Sequence, residues 1–339
     1  MIAALASASG SCLATLAEPL ERAAIVASHL DRAAFLGVAA VEDRLVAVGE
    51  RGLVALSDDQ GKSWRQARSP VSVGLTAVAF PTPQVGWAVG HFGVVLRSVD
   101  GGETWAKVLD GVQAARIVSD GVPTGTTSRR AAQLVEEGPD KPFLDLHFDT
   151  PEQGWIVGAF GLMLHTVDGG RHWTSRTLEL PNPKAAHLYA ICAASGTLYV
   201  AGEQGLAMRS EDGGATFQRL SMPYQGSWFT AVASDDGTIV LGGLRGKVYG
   251  SADRGQTWQV VDLASPVAVT AAARGRGGRI FLANQAGQVY VLAASAAHAT
   301  RLDLPPLPVP TALAETRSGG LVVGTVRGMR QVPAVAPAS

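Results

Sequence analysis

The sequence predicts an all-β fold, a seven-bladed β-propeller. A glycine-centred turn recurs seven times, an Asp-box motif follows the turn in five of the repeats, and no segment reads as a long helix. Gly52, Gly93, Gly161, Gly205, Gly246, Gly287 and Gly328 are spaced by 41, 68, 44, 41, 41 and 41 residues. A period of about 41 is the length of one four-stranded blade.

Inner strands are expected at Phe35–Val38, Leu75–Phe80, Phe143–Phe148, Leu188–Cys192, Phe229–Val232, Val269–Ala272 and Thr311–Ala314. Second strands such as Leu45–Val48, Trp87–Val89, Trp155–Val157 and Leu198–Ala201 lead into the glycine turns. The Asp boxes read Ser/Thr-x-Asp-x-Gly-x-x-aromatic at Ser57–Trp64, Ser98–Trp105, Thr166–Trp173, Ser210–Phe217 and Ser251–Trp258. In each, the carboxylate of Asp59, Asp100, Asp168, Asp212 or Asp253 is placed to accept from the turn backbone. The aromatic is placed to pack between blades. Recurrence at one equivalent place marks these acids as structural.

Unit six lacks the box, with Ala294 and Ala299 at the Asp and aromatic positions, and unit seven ends after a strand near Met329–Val332. Because open strand edges are avoided, the segment Ala23–Ser28, which holds outer-strand register, is expected to complete blade seven and close the ring. The long step of 68 residues places an insertion at about 111–142, between blades two and three. It is polar, carries Arg129-Arg130 and Glu136-Glu137, and is expected as a long functional or disordered loop.

The composition suits this fold. Hydrophobic residues make up 47% and charged residues 17%, with 40 Gly and 18 Pro for many short strands and tight turns. The formal net charge of -1 excludes a general nucleic-acid or membrane-surface binder. The cations are 23 Arg and 5 Lys. Residues 1–17 are apolar and small, end in Thr15-Leu16-Ala17 and are expected as a leader, although no basic residue precedes Arg22. The propeller then spans 18–332 and a tail 333–339. Cys12 lies in the leader and Cys192 in an inner strand, so no disulfide is expected in the mature chain.

The string Gly86-Trp87-Ala88-Val89-Gly90-His91-Phe92-Gly93 followed by Leu96-Arg97-Ser98-Val99-Asp100-Gly101-Gly102-Glu103-Thr104-Trp105 resembles the repeat of the photosystem II stability and assembly factor family. The copy from Gly154 to Gly161 and from Thr166 to Trp173 is similar. The resemblance covers about Ala23–Val332. It implies an exported seven-bladed propeller, periplasmic or in a thylakoid lumen, that acts as an assembly chaperone without catalysis.

Asp boxes also occur in sialidases and other glycoside hydrolases, so an exported hydrolase is the alternative. No Arg-Ile-Pro signature is present, and Tyr189, Tyr199, Tyr224, Tyr249 and Tyr290 all fall in or beside repeat strands. Asp145 and Asp149 are the best candidates for carboxylates lining the channel, where a glycosidase would need a facing acid pair. A small-molecule-binding propeller is a third class. The histidines show no metal-ligand spacing, and no nucleophile elbow or phosphate loop is found, so no metal and no cofactor are expected. The expected partner is a membrane-associated protein or complex, with no nucleic acid, no direct membrane insertion and a monomeric chain.

Strand order puts the glycine turns, the connections between blades and the insertion on one face, with the Asp boxes opposite. The residues preceding the turn glycines are Arg51, Phe92, Phe160, Gln204, Arg245, Ala286 and Arg327. The expected docking surface is this turn face, with Arg51, Arg245 and Arg327 meeting acidic groups and Phe92 and Phe160 supplying apolar contact.

Overall fold

The computed structural model describes residues 18–122, 125, 127–293 and 298–333. Seven antiparallel sheets follow one another along the chain, six with four strands and the last with three. Their inner strands are Phe35–Val41, Leu75–Ala79, Phe143–Phe148, Leu188–Ala194, Trp228–Ala233, Val269–Arg274 and Pro310–Glu315. Each sheet runs inner to outer in sequence order, the meander a propeller requires. The leader at 1–17 and Ala294 lie outside the described residues.

The cores lie between blades, where second-strand aromatics meet Asp-box aromatics of the next blade. Trp87 of blade two stacks on Phe148 at 4.3 Å and meets Trp173 edge-on at 6.2 Å. Trp155 of blade three meets Phe217 of blade four edge-on at 6.1 Å. These rings are large apolar surfaces held at low rotamer cost, and they fix the angle between neighbouring sheets. Glycine is required where box and core touch: Gly214 has φ +88°, and a Cβ there would lie 2.1 Å from the Trp155 ring.

Each Asp box is the same hydrogen-bonded clamp. In blade one, Asp59 accepts from the Ser63 amide at 2.9 Å and the Ser63 hydroxyl at 2.6 Å. The Ser57 hydroxyl accepts from the Gly61 amide at 2.7 Å, and Trp64 Nε1 donates to the Gly61 carbonyl at 3.1 Å. Thr104, His172, Thr216 and Thr257 repeat the role of Ser63. The residue just before the aromatic is therefore part of the motif. Blade six forms its outer strand, Thr300–Arg301, without such a box, and Ala299 packs against its core.

Two expectations are corrected. Ala23–Ser28 is not a strand and does not pair with Met329–Val332. It lies against blade one, where Ala24 N donates to Ser69 O at 3.1 Å and the Gln66 side chain clamps Ala27 N at 2.8 Å and Ile25 O at 3.0 Å. The upstream contacts explain this course. Ser72 N donates to Pro19 O at 2.8 Å and Arg22 Nε to Ser72 Oγ at 3.1 Å, so the chain enters from the blade-one side.

The ring closes instead by packing blade seven on blade one. Thr311 Oγ1 donates to Phe35 O, Arg317 pairs with Asp43 at 2.7 Å, Gln331 Nε2 donates to Gln60 O at 2.8 Å, and Gly328 N donates to Ala33 O at 2.7 Å.

The second correction concerns the insertion. It is not an extended loop but a pair of helices, α1 (Gly111–Asp120) and α2 (Arg129–Glu136). Asp110 caps α1 in a capping box with Gln113, and Ser128 caps α2. Ala114, Ala115, Val118, Ala131 and Leu134 are buried in the core shared with blades two and three. The apolar stripe is what folds a polar segment onto the propeller.

Candidate docking face

Register and turn geometry place the tips. In blades one to five the residue before the turn glycine has left-handed backbone: φ is +53° at Arg51, +57° at Phe92, +55° at Phe160, +53° at Gln204 and +58° at Arg245. The paired left-handed residues form a tight hairpin turn whose twist suits the strands. In blades one to six the turn glycine lies on the connection leaving its own blade, and Gly328 of blade seven lies on the segment that leads into blade one. A Cβ on Gly52 would meet Val71 O at 1.9 Å, and one on Gly161 would meet Arg130 and Asn182. This contact puts turns, connections and insertion on one face, as strand order requires.

On that face Arg51, Arg245 and Arg327 are exposed, and none has a carboxylate within 4.0 Å among the described residues. The opposite face holds both kinds, with Arg171, Arg254 and Arg276 exposed and without a carboxylate within 4.0 Å among the described residues, and others paired. Arg44 and Arg65 bind Asp58 and Glu103 at 2.5–3.1 Å, Arg317 binds Asp43, Arg279 binds Glu315 and Arg274 binds Asp235. Its channel mouth, a cavity of about 1050 Å³, is lined by the paired Arg274 and Arg317 and by Arg276, whose guanidinium donates to the Arg317 carbonyl.

Phe92 and Phe160 are 37% and 44% exposed, so the insertion does not cover them. It braces one. Arg130 of α2 donates to Phe160 O at 2.6 Å, and Lys141 Nζ lies 5.9 Å from the Phe160 ring. From Phe160 a chain of edge-on rings runs inward across three blades: His187 at 4.9 Å, Tyr189 a further 6.1 Å on, then Phe229 at 5.4 Å. Phe160 N donates to His187 Nδ1 at 2.7 Å, while Glu203 holds the Tyr189 hydroxyl at 3.2 Å and the His187 amide at 2.9 Å.

Tyr189 and Phe229 sit at a bulge that interrupts every inner strand at one place. The bulge turns the extra residue toward the channel. Of its five other occupants, Thr76, Thr270 and Thr311 hydrogen-bond to the next blade instead, at Phe143 O, Pro310 O and Phe35 O, and the remaining two are Leu36 and Leu144. Sequence reasoning missed this row, although aligning the second residue of each inner strand reveals two aromatics among threonines and leucines. The five tip residues share a face but not a cluster. Phe160 leads into the aromatic row, Phe92 stands on the neighbouring blade, Arg327 and Arg51 occupy adjacent blades, and Arg245 stands on blade five.

The candidate acids are engaged separately. Asp145 lines the channel and accepts from the Leu146 amide at 2.9 Å and the Ile191 amide of blade four at 2.8 Å. Burial raises its pKa to about 6, against the pull of those two amides, and burial also pushes the nearby Cys192 thiol up. Asp149 is exposed beyond the strand end and bonds to His147 at 3.0 Å, which lowers its pKa. Asp145 thus ties two blades together. Among the described residues no cluster of three or more His, Cys, Asp or Glu is placed to hold a metal, and no helix is long and apolar enough to cross a membrane.

Residues 126–299 match the family described as photosynthesis system II assembly factor YCF48. The photosystem II assembly lipoprotein Ycf48 of Synechococcus sp. (strain CC9902) is 36% identical over 110 residues, 32% of either chain. The chain spans about a third or less of the curated relatives it matches. A solved structure of YCF48 bound to D1 peptide superposes over 94% of this chain and 98% of that one, with a TM-score of 0.66 at 15% identity. A streptogramin B lyase superposes as well, with a TM-score of 0.69 at 11% identity over 92% and 98%. Likeness at that level shows the seven-bladed fold and leaves function to the site. The family match covers just over half of the 339 residues, and the chain belongs to the Ycf48 family of photosystem II assembly factors.

Proposed function

We propose that the chain is an exported, non-catalytic assembly factor whose turn face docks a segment of a membrane-associated protein complex. The observation that carries this reading is the make-up of the turn face: Arg51, Arg245 and Arg327 are exposed there with no carboxylate partner among the described residues, and Phe92 and Phe160 are exposed on the same face. Free guanidinium groups beside exposed aromatics suit an acidic segment carrying apolar side chains. The row from Phe160 to Phe229 gives those side chains a path toward the channel. Family membership supports an assembly role, and the solved relative bound to D1 peptide supports a photosystem subunit as the kind of partner. Relatives named as lipoproteins support export. The hydrolase alternative is not favoured, since Asp145 is committed to two backbone amides and Asp149 to His147.

Affinity capture from the source membranes tests the face. Arg51, Arg245 and Arg327 changed together to Glu should abolish capture with the fold intact. Reversal of Arg44, Arg65 and Arg317 should leave capture in place. The opposite pattern assigns docking to the Asp-box face.

A further inference from the structure

Blade seven is the one sheet with three strands among the described residues. In the other six the third strand pairs with a short outer strand, two residues long in five blades and four in blade two, Ala106–Leu109. The carbonyl at the start of the third strand also accepts an amide that follows the outer strand. Val54, Met163, Ala207, Val248 and Val289 accept from Ala67, Arg176, Leu220, Val261 and Leu302 at 2.8–3.0 Å. Cross-strand register identifies the counterpart in blade seven. Val54 opposes Val48 and Met329 opposes Gly324, each one residue before the second strand ends. The Met329 carbonyl instead takes the guanidinium of Arg330, at 2.9 Å. A side chain stands where the other blades have an outer-strand amide.

We propose that this edge, Met329–Val332, receives a short extended acidic segment of a partner protein as the fourth strand of blade seven. Main-chain pairing would supply affinity, as in other strand additions to an open edge. Charge selects the partner. Arg330 and Lys62 have no carboxylate partner among the described residues, and an acidic side chain opposite Arg330 draws the guanidinium off the Met329 carbonyl and frees it for the incoming amide. A second copy of this chain is disfavoured, because antiparallel pairing through Met329 and Gln331 sets Arg330 against Arg330. Room exists: a groove of about 420 Å³ lined by Gln60, Lys62, Gln331, Val332 and Pro333 extends the edge toward the Asp-box face. The site lies on the outer perimeter, apart from the turn tips, and stands or falls independently of the turn-face proposal.

The test uses the full chain with two labelled, end-capped peptides, Val-Glu-Val-Glu-Val and Val-Lys-Val-Lys-Val, read by fluorescence anisotropy. Amide hydrogen exchange at Gln331 is followed in parallel. The glutamate peptide should bind saturably and slow exchange at Gln331. Arg330→Glu should weaken it about tenfold and turn the preference toward the lysine peptide. Absence of saturable binding by a folded chain, equal binding of both peptides, or indifference to Arg330→Glu overturns the proposal. So does a Gln331 amide that is already as protected in the free chain as its counterpart Leu56. In that last case protection that depends on concentration identifies a second copy as the cover, and protection that does not identifies the chain's own ends.

Discussion

The two faces of the ring are made from the same repeats, yet they hold opposite kinds of uniformity. On the Asp-box face backbone and side chains repeat together: five turns carry the same Ser/Thr, Asp and Gly groups in the same hydrogen bonds, followed by an aromatic. On the turn face only the backbone repeats. The left-handed tip is conserved in geometry from Arg51 to Arg245, while its side chain changes from Arg to Phe to Gln to Arg. A turn whose chemistry is fixed by its own hydrogen bonds has nothing left to offer a partner. A turn whose geometry comes from a glycine and a neighbouring connection leaves its tip free to vary.

The sharpest way to break that contrast is to remove a box aromatic. Trp105 is 6% exposed, donates to Gly102 O at 2.9 Å and meets Phe80 edge-on at 5.9 Å. Trp105→Ala should cost about 3–5 kcal/mol in urea unfolding, as large-to-small core changes do. Molecules that remain folded should dock as wild type. Lost docking at full folded occupancy would give the box face a role in recognition.

Phe160→Gly should do the reverse. Its backbone stands at φ +55°, where an L residue is strained and glycine is not. Stability should therefore stay within about 1 kcal/mol of wild type, while capture of the partner falls. A loss of stability well beyond that, with docking retained, would show that the ring row from Phe160 to Phe229 is core rather than contact surface. A smaller effect is expected of Asp100→Ala, which removes the bonds to Thr104 N at 3.0 Å and Thr104 Oγ1 at 2.6 Å. About 1 kcal/mol should be lost, with no change in docking.

What was legible in the sequence follows the same division. The boxes and turn glycines were readable because each closes on itself within a few residues, so that Ser57, Asp59, Gly61 and Trp64 state their own geometry. Ring closure was not, because register counting placed Ala23–Ser28 as an outer strand while the Gln66 side chain and the Pro19–Ser72 contact hold it on blade one. The helices of the insertion left a trace in Asp110, Gln113 and the spacing of Ala114, Ala115 and Val118, obscured by the polar residues between them. The site was half visible. Arg51 and Phe160 sit at positions the repeat marks, but His187, Tyr189 and Phe229 meet Phe160 only through the packing of three blades.

The last contrast is one of proton linkage, and its sign separates the box acids from the channel acid. Asp59, Asp168 and Asp253 have pKa values lowered to about 2, chiefly by hydrogen bonds from Ser63, His172 and Thr257. The ionised form is the one the fold favours, so their contribution is present above about pH 4 and lost as the pH falls toward 2. Asp145 is shifted the other way, from 3.8 to about 6, by burial. There the protonated form is favoured, so its contribution is complete below about pH 4 and lost as the pH rises through 6. Chemical unfolding of wild type, Asp253→Asn and Asp145→Asn across pH 2 to 8 resolves the two. The difference between wild type and Asp253→Asn should develop below about pH 4 and be flat above it. The difference between wild type and Asp145→Asn should move against wild type between about pH 4 and 7 and be flat on either side. A flat Asp145 difference through that window would mean that the carboxylate is ionised at no cost in the channel wall. Asp145 would then be a solvated acid available to a ligand rather than a tie between blades three and four.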